Sequence, residues 1–62
     1  MLGDTLKALR DKKGVTQETI AEMLKIKRQT YSAYERNVSL PDILALVQIA
    51  DYFDVSLEYL VG

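Results

Sequence analysis

Four side chains in one short stretch have the types and spacing needed to read the edges of DNA bases. They fall at i, i+1, i+4 and i+5, so in a helix they share one face: Arg28, Gln29, Ser32 and Ala33. Arg can donate two hydrogen bonds to guanine, Gln can pair with adenine, and Ala can contact a thymine methyl. A helix with such groups at its start can enter a major groove. The alternative is an ordinary solvated face of a helical bundle.

The neighbouring residues predict the two helices that must position this face. One helix is expected from Gln17 to Leu24 or Lys25, and a second at about 28–36, with a tight turn between them. Small or apolar side chains recur where the two helices would touch: Ile20, Ala21, Leu24, Ile26, Tyr31 and Tyr34. Because Ala21 has little bulk, the second helix can cross close to the first at a steep angle. The spacing favours a helix-turn-helix at about 17–36 with its outer face free.

Further residues extend this pattern over nearly all of the chain: Leu6, Leu9-Arg10, Gly14 to Glu18, Ala21, Leu24, Tyr34 to Asn37, Pro41 and Ala50 to Leu60. The pattern resembles the DNA-binding domains of phage repressors and Cro proteins, the XRE family of bacterial regulators. The resemblance implies a single domain at 1–62, with the all-α fold of a compact five-helix, lambda-repressor-like bundle. It also implies a sequence-specific transcriptional regulator, bacterial or phage-encoded, that acts in the cytoplasm at the nucleoid on double-stranded DNA.

Five residues are expected to hold the DNA backbone: Thr16, Gln17, Lys27, Arg36 and Asn37. Thr16 can cap the first helix of the motif, whose amino end then attracts phosphate through its N–H groups and dipole. The resemblance implies that Gln17 contacts a phosphate and braces the recognition helix; the alternative is an exposed surface Gln. It also implies that Arg36 and Asn37 lie near the DNA backbone.

Three positions depart from the family pattern. Lys25 stands where the family has Gly, and a left-handed backbone there costs Lys about 1 kcal/mol. Lys27 stands where the family has a capping Ser or Thr, and Lys is a poor cap. The two lysines favour an exchange of local stability for positive charge beside phosphate, unless they form an ordinary solvated cluster. Asn37 replaces a family Gly just past the recognition helix and suits a left-handed helix end.

The resemblance also implies a structural ion pair between Arg10 of the first helix and Glu35 of the recognition helix. If the pair is buried, it orients the recognition helix more than it stabilises the fold. If it is exposed, it contributes less than about 1 kcal/mol.

Three more helices are expected outside the motif. The first lies at about 3–13, with Gly14 as its stop, and the last runs from Leu57 to Val61 behind a Ser56 cap. A fourth helix at about 42–53 is apolar on almost all sides, which predicts a central, buried helix: Ile43, Leu44, Leu46, Val47, Ile49, Ala50 and Phe53.

Apolar residues at the end of the chain exceed what one small core needs. An exposed apolar surface often marks an interface, which predicts a two-fold contact in a homodimer, at least on DNA, made by Val55, Leu57, Tyr59, Leu60 and Val61. The alternative is that these side chains complete the core.

Charge is distributed unevenly along the chain, whose net charge is −1. Residues 1–37 hold all eight basic residues and five acidic ones, whereas residues 38–62 hold four acidic residues and no base. A basic half suits phosphate and an acidic half suits a face turned away from it. The weak total predicts modest affinity for one protomer. The acidic half also keeps open a protein-interaction module, such as an antitoxin-like partner or a regulatory cap with secondary or lost DNA binding.

Other function classes find little support in the composition. The chain has no Cys and no His, the commonest metal ligands and the usual general base. Its three Gly residues are isolated, so no phosphate-binding loop is present. We therefore expect no enzyme activity, no metal and no cofactor. The longest apolar stretch, residues 43–50, is far shorter than the roughly 20 residues of a membrane span, so no membrane partner is expected.

Overall fold

Five α-helices and no strand make up the computed structural model, which describes residues 1–62. They are α1 (Leu2–Lys13), α2 (Gln17–Leu24), α3 (Arg28–Glu35), α4 (Ile43–Phe53) and α5 (Leu57–Val61). The predicted all-α, five-helix fold is confirmed. None of the helices has the length and apolar content that a membrane crossing requires.

Local capping explains where most helices begin. The hydroxyl of Thr16 accepts a hydrogen bond from the backbone N–H of Thr19 at 3.2 Å. Asp42 and Ser56 cap α4 and α5 in the same way, at 2.8 and 3.0 Å. Because Asp42 is a cap, α4 begins one residue later than predicted. Lys27 caps α3 without any side-chain hydrogen bond, as expected for Lys.

Left-handed residues end the helices and turn the chain toward the next element. Lys25 has φ 60° and Asn37 has φ 61°, so both positions keep the left-handed geometry predicted for them. Asp54 adopts φ 57° after α4, which the sequence did not indicate. Each residue carries a Cβ in a region that Gly occupies more easily, so each conformation costs stability.

Seven side chains from all five helices form the buried core: Leu6, Ile20, Ala21, Tyr31, Ile49, Ala50 and Leu60. Tyr31 is the largest of them and is fully buried. The half-buried Tyr34 packs edge-on against it, with ring centroids 6.1 Å apart. The inner face of α3 therefore lies in the core, and its outer face points away from the other helices.

The prediction that α4 is buried all round is wrong. Ile49 and Ala50 are buried, but Ile43 and Leu44 are each 65% exposed. The helix packs mainly against α2 and α5, so only one of its sides has neighbours. A bundle of five short helices leaves no element to cover the opposite side.

Candidate nucleic-acid interface

The outer face of α3 is open. Arg28 and Gln29 are exposed at its start, and Ser32 and Ala33 are partly exposed one turn further on. None of the four is buried, whereas Tyr31 on the inner face of the same helix is fully buried. The guanidinium of Arg36 donates to the hydroxyl of Ser32 at 3.3 Å and so lies back along this face.

The crossing of α2 and α3 depends on the small residue that the sequence pointed to. Ala21 is buried where the two helices meet, beside the fully buried Ile20. The turn is closed by a hydrogen bond from the backbone N–H of Ile26 to the carbonyl of Ala21, at 3.0 Å. The half-buried side chain of Ile26 packs against the core. Together these contacts form the helix-turn-helix that presents the outer face of α3.

A buried carboxylate fixes α3 against α1. Glu35 has a side chain only 4% exposed, and it forms an ion pair with Arg10. The guanidinium approaches it twice, with Nε 2.7 Å from Oε2 and Nη2 3.2 Å from Oε1. Arg10 also donates from Nη1 to the carbonyl of Val15 at 3.1 Å. Two hydrogen bonds from one guanidinium restrict the relative orientation of the two helices.

Gln17 connects this ion pair to the outer face of α3. Its amide nitrogen donates to Oε1 of Glu35 at 3.0 Å. Its amide oxygen accepts a hydrogen bond from Nη1 of Arg28 at 3.2 Å. Gln17 therefore braces both ends of α3 from the start of α2, and its amide nitrogen has two hydrogens, of which one remains to donate elsewhere.

The hydrogen bonds keep Glu35 ionised. Burial alone would raise the pKa of its carboxyl group, but the bonds from Arg10 and Gln17 outweigh that effect and lower the pKa. Burial, reinforced by the Glu35 carboxylate, raises the pKa of the Tyr31 phenol. Because the raised pKa keeps the Tyr31 phenol protonated and the lowered pKa keeps Glu35 ionised, the negative charge at this site is carried by Glu35.

A contact that the sequence analysis missed joins the start of α1 to the end of α3. The backbone N–H of Gly3 donates to Oδ1 of Asn37 at 2.9 Å. A Cβ on Gly3 would overlap the carbonyl oxygen of Glu35 and lie 2.6 Å from that of Tyr34. Gly is therefore needed for close approach, a requirement that only the three-dimensional pairing of α1 and α3 reveals.

The residues predicted to hold the DNA backbone lie at both ends of the outer face of α3. Thr16 and Gln17 begin α2, and the bond between Gln17 and Arg28 brings them beside Lys27 at the start of α3. Arg36 and Asn37 follow the other end of the helix, and both are exposed. The side-chain oxygen of Asn37 accepts a hydrogen bond from the backbone N–H of Gly3. Its side-chain NH₂ group is not needed for that bond and can donate to another acceptor.

The predicted dimer surface is divided by the fold. Leu60 is only 2% exposed and belongs to the core, so the expectation that it faces a partner is corrected. Tyr59 and Val61 are exposed, whereas Val55 and Leu57 are half-buried. Beside them runs an open groove of about 510 Å³ between α1 and α5, lined by Leu9, Lys12, Lys13, Phe53, Asp54, Val55 and Tyr59.

Comparisons with known proteins agree with this geometry. The sequence profile of a helix-turn-helix family matches residues 6–60. Two HTH-type transcriptional regulators of Bacillus subtilis (strain 168) are similar. The uncharacterized YqaE is 42% identical over 60 residues, which cover 97% of this chain and 52% of YqaE. ImmR is 41% identical over 61 residues, which cover 98% of this chain and 48% of ImmR.

The chain spans about half the length of these curated relatives. Among solved structures, the biofilm master regulator SinR, crystallised in complex with DNA, superimposes with a TM-score of 0.88 at 30% identity. That match covers 100% of both chains.

Proposed function

Because the chain belongs to the XRE helix-turn-helix family, we propose that it is a sequence-specific DNA-binding domain of a transcriptional regulator. The observation that carries the proposal is the open outer face of α3, held in one orientation by the buried pair of Arg10 and Glu35. The likeness to SinR, which was crystallised with DNA, supports it. The site of action would be bacterial or phage DNA in the cytoplasm.

The base-reading residues would be Arg28, Gln29, Ser32 and Ala33, on the helix that enters the major groove. In the free protein Arg28 donates to Gln17. On DNA it would exchange that bond for the edge of a guanine.

Phosphate contacts would flank the reading face on both sides and fix its position in the groove. At one side the amino end of α2, with Thr16, Gln17 and Lys27, would receive a phosphate; the second amide hydrogen of Gln17 is available for it. At the other side Arg36 and Asn37 would contact the backbone. These contacts set affinity, and the base contacts set specificity.

We further propose a homodimer on DNA, which would read two half-sites about 34–36 Å apart. The supporting surface is the groove beside α5, where Tyr59 and Val61 are exposed. Its lining carries both signs of charge, since it includes Lys12, Lys13 and Asp54. A surface with both signs can pair with its own copy across a two-fold axis. A dimer would also double the modest positive charge offered to phosphate.

The test begins with selection of bound sequences from random DNA duplexes. For the selected site, Arg28→Ala or Gln29→Ala should cost about 1–3 kcal/mol at one base position and relax the choice there. Arg28→Lys is the matched control, because it keeps the charge but loses the two-bond grip on guanine. Gln17→Ala should weaken binding to every sequence about equally.

Two outcomes would count against the proposal. If Arg28 and Gln29 could both be replaced without a change in the selected sequence, the reading face would be wrong. If the chain showed no affinity for mixed-sequence duplex even at low salt, where phosphate attraction is strongest, DNA binding itself would be excluded.

A further inference from the structure

A second apolar surface lies on α4 and on the loop that leads into it. On the helix, Ile43, Leu44 and Val47 share the outward face, and the loop adds Leu40 and Val38. We call these five residues the α4 patch. Leu40 is 78% exposed, Val38 67% and Val47 41%. Five large apolar side chains left open in one continuous segment exceed the scattered single exposures that a small protein normally shows.

The α4 patch and the helical turn that follows it carry only negative charges along the chain. Asp42 lies within the segment and Asp51 lies one turn past Val47 on the same helix; both are exposed. Residues 38–62 contain no Lys and no Arg. The nearest base in sequence, Arg36, lies at the end of α3, where its guanidinium donates to the hydroxyl of Ser32. An apolar stripe with an acidic rim selects a partner with basic residues around its own apolar stripe.

The acidic residues distinguish the α4 patch from the groove between α1 and α5. The groove is lined by Lys12, Lys13 and Asp54, so the opposite charges of two copies can pair there. Two copies of the α4 patch would instead bring acidic rims together, and like charges facing each other oppose association. An anionic membrane surface would repel the patch for the same reason.

We infer that the α4 patch binds an amphipathic helix of another polypeptide, with apolar residues at i, i+3 or i+4 and i+7 and with Lys or Arg at the flanks. The inference does not depend on DNA binding. The patch begins beside the reading helix, since the backbone N–H of Val38 donates to the carbonyl of Ala33 at 2.9 Å. A helix bound there lies next to the outer face of α3.

The test uses two synthetic helical peptides of about five turns that differ only in their flanking charges. One has a Leu stripe flanked by Lys, and the other has Glu in place of every Lys. The backbone amide spectrum of the isotope-labelled chain is recorded during titration with each peptide. The Lys peptide should shift amides of residues 38–51, and the Glu peptide should not bind.

Variants assign the contact. Leu44→Ser with Val47→Ser should weaken binding of the Lys peptide at least tenfold. Asp51→Lys should weaken the Lys peptide and strengthen the Glu peptide. The matched control, Tyr59→Ser with Val61→Ser, removes as much exposed apolar surface from α5 and should leave binding unchanged. All of these side chains are exposed, so the fold tolerates their replacement.

Equal binding of the Lys peptide to the Leu44→Ser, Val47→Ser variant would overturn the inference. So would sedimentation showing that the wild-type chain self-associates and that this variant does not, because the occupant would then be a second copy. Duplex binding at low salt is measured in parallel on every variant. If the wild-type chain did not bind duplex DNA, the DNA-binding proposal would fail, but the proposal that the α4 patch binds a helix would not be affected.

Discussion

α3 and α4 each bury one face and leave the other open, but they differ in what holds them and in what they expose. The inner face of α3 carries the ionised Glu35, which accepts hydrogen bonds from Arg10 and Gln17. The inner face of α4 carries only apolar contacts, chiefly Ile49 and Ala50. Outward, α3 presents polar side chains and α4 presents an apolar stripe.

The difference shows that the two helices are held by contacts of different kinds. Hydrogen bonds are directional, so the contacts of Glu35 allow only one orientation of α3. Apolar contacts depend on area and tolerate small shifts. A helix that must match base edges benefits from the first kind of contact. A helix whose open face is apolar does not need to be held in so exact an orientation.

The largest effect on stability is expected from removing Arg10, the ion-pair partner of Glu35. Arg10→Met should lower the free energy of unfolding by about 3 kcal/mol, because it leaves a buried carboxylate without its cation. Urea denaturation measures the loss. Arg10→Met combined with Glu35→Met should recover most of it. Equal losses in the single and double variants would mean that packing, not the ion pair, holds α1 against α3.

A smaller loss is expected where α1 touches the end of α3. Gly3→Ala places a methyl group against the backbone carbonyls of Glu35 and Tyr34, and such overpacking costs about 1–3 kcal/mol. Thermal unfolding should show it. Gly14→Ala is the control: its Cβ meets nothing within 4 Å, so only its positive φ, worth about 1 kcal/mol, should register.

The pH dependence of stability should show that an ionised group, Glu35, holds the inner face of α3. The pKa of Glu35 is lowered in the folded state, so its contribution is complete above the unfolded value of about 4.3 and is lost as pH falls through the lower folded value. Unfolding followed from neutral to acid pH should show this decline, and Glu35→Gln should flatten it. An unchanged acid limb in Glu35→Gln would contradict the assignment.

Glycine substitutions at the left-handed positions Lys25 and Asn37 test whether either side chain makes a stabilising contact. Lys25→Gly should stabilise the chain by up to about 1 kcal/mol, because Gly adopts φ 60° without strain. Asn37→Gly relieves the same strain but also removes the acceptor for the Gly3 N–H, so it should gain nothing. Urea denaturation of the two variants side by side would show whether the side chain of Asn37 matters.

The smallest effect should come from the open face of α4. Leu44 is 65% exposed, so Leu44→Ser should change the free energy of unfolding by less than about 0.5 kcal/mol. Leu46→Ser, two residues further along α4 on its half-buried side, is the matched control and should cost clearly more. A large loss in Leu44→Ser would show that the α4 patch is structural.

Features set by local sequence could be predicted, and those set by distant pairing could not. Thr16 and Ser56 cap helices through bonds three residues away, so they place the starts of α2 and α5. The open outer face of α3 followed from the spacing of the apolar residues in the helix-turn-helix at about 17–36. The need for Gly3, by contrast, arises from a contact between residues 34 positions apart in the sequence, and no local pattern records it.

The apolar pattern of α4 failed for a different reason. It shows which side chains favour burial, but not whether the chain has elements enough to bury them. Leu44 and Leu60 are both apolar residues on short helices, yet one is open and the other lies in the core. Which of them is covered depends on how α4 and α5 stack, which periodicity alone does not specify.

The hydrogen bond between Gly3 and Asn37 places the first residues of the chain beside the carboxyl end of α3. Met1 is 85% exposed and stands two residues from that bond. A small fluorophore coupled to its amino group would therefore sense what arrives beside α3. A bulky fusion at the same position would crowd that surface, so labels meant to be silent should be attached elsewhere.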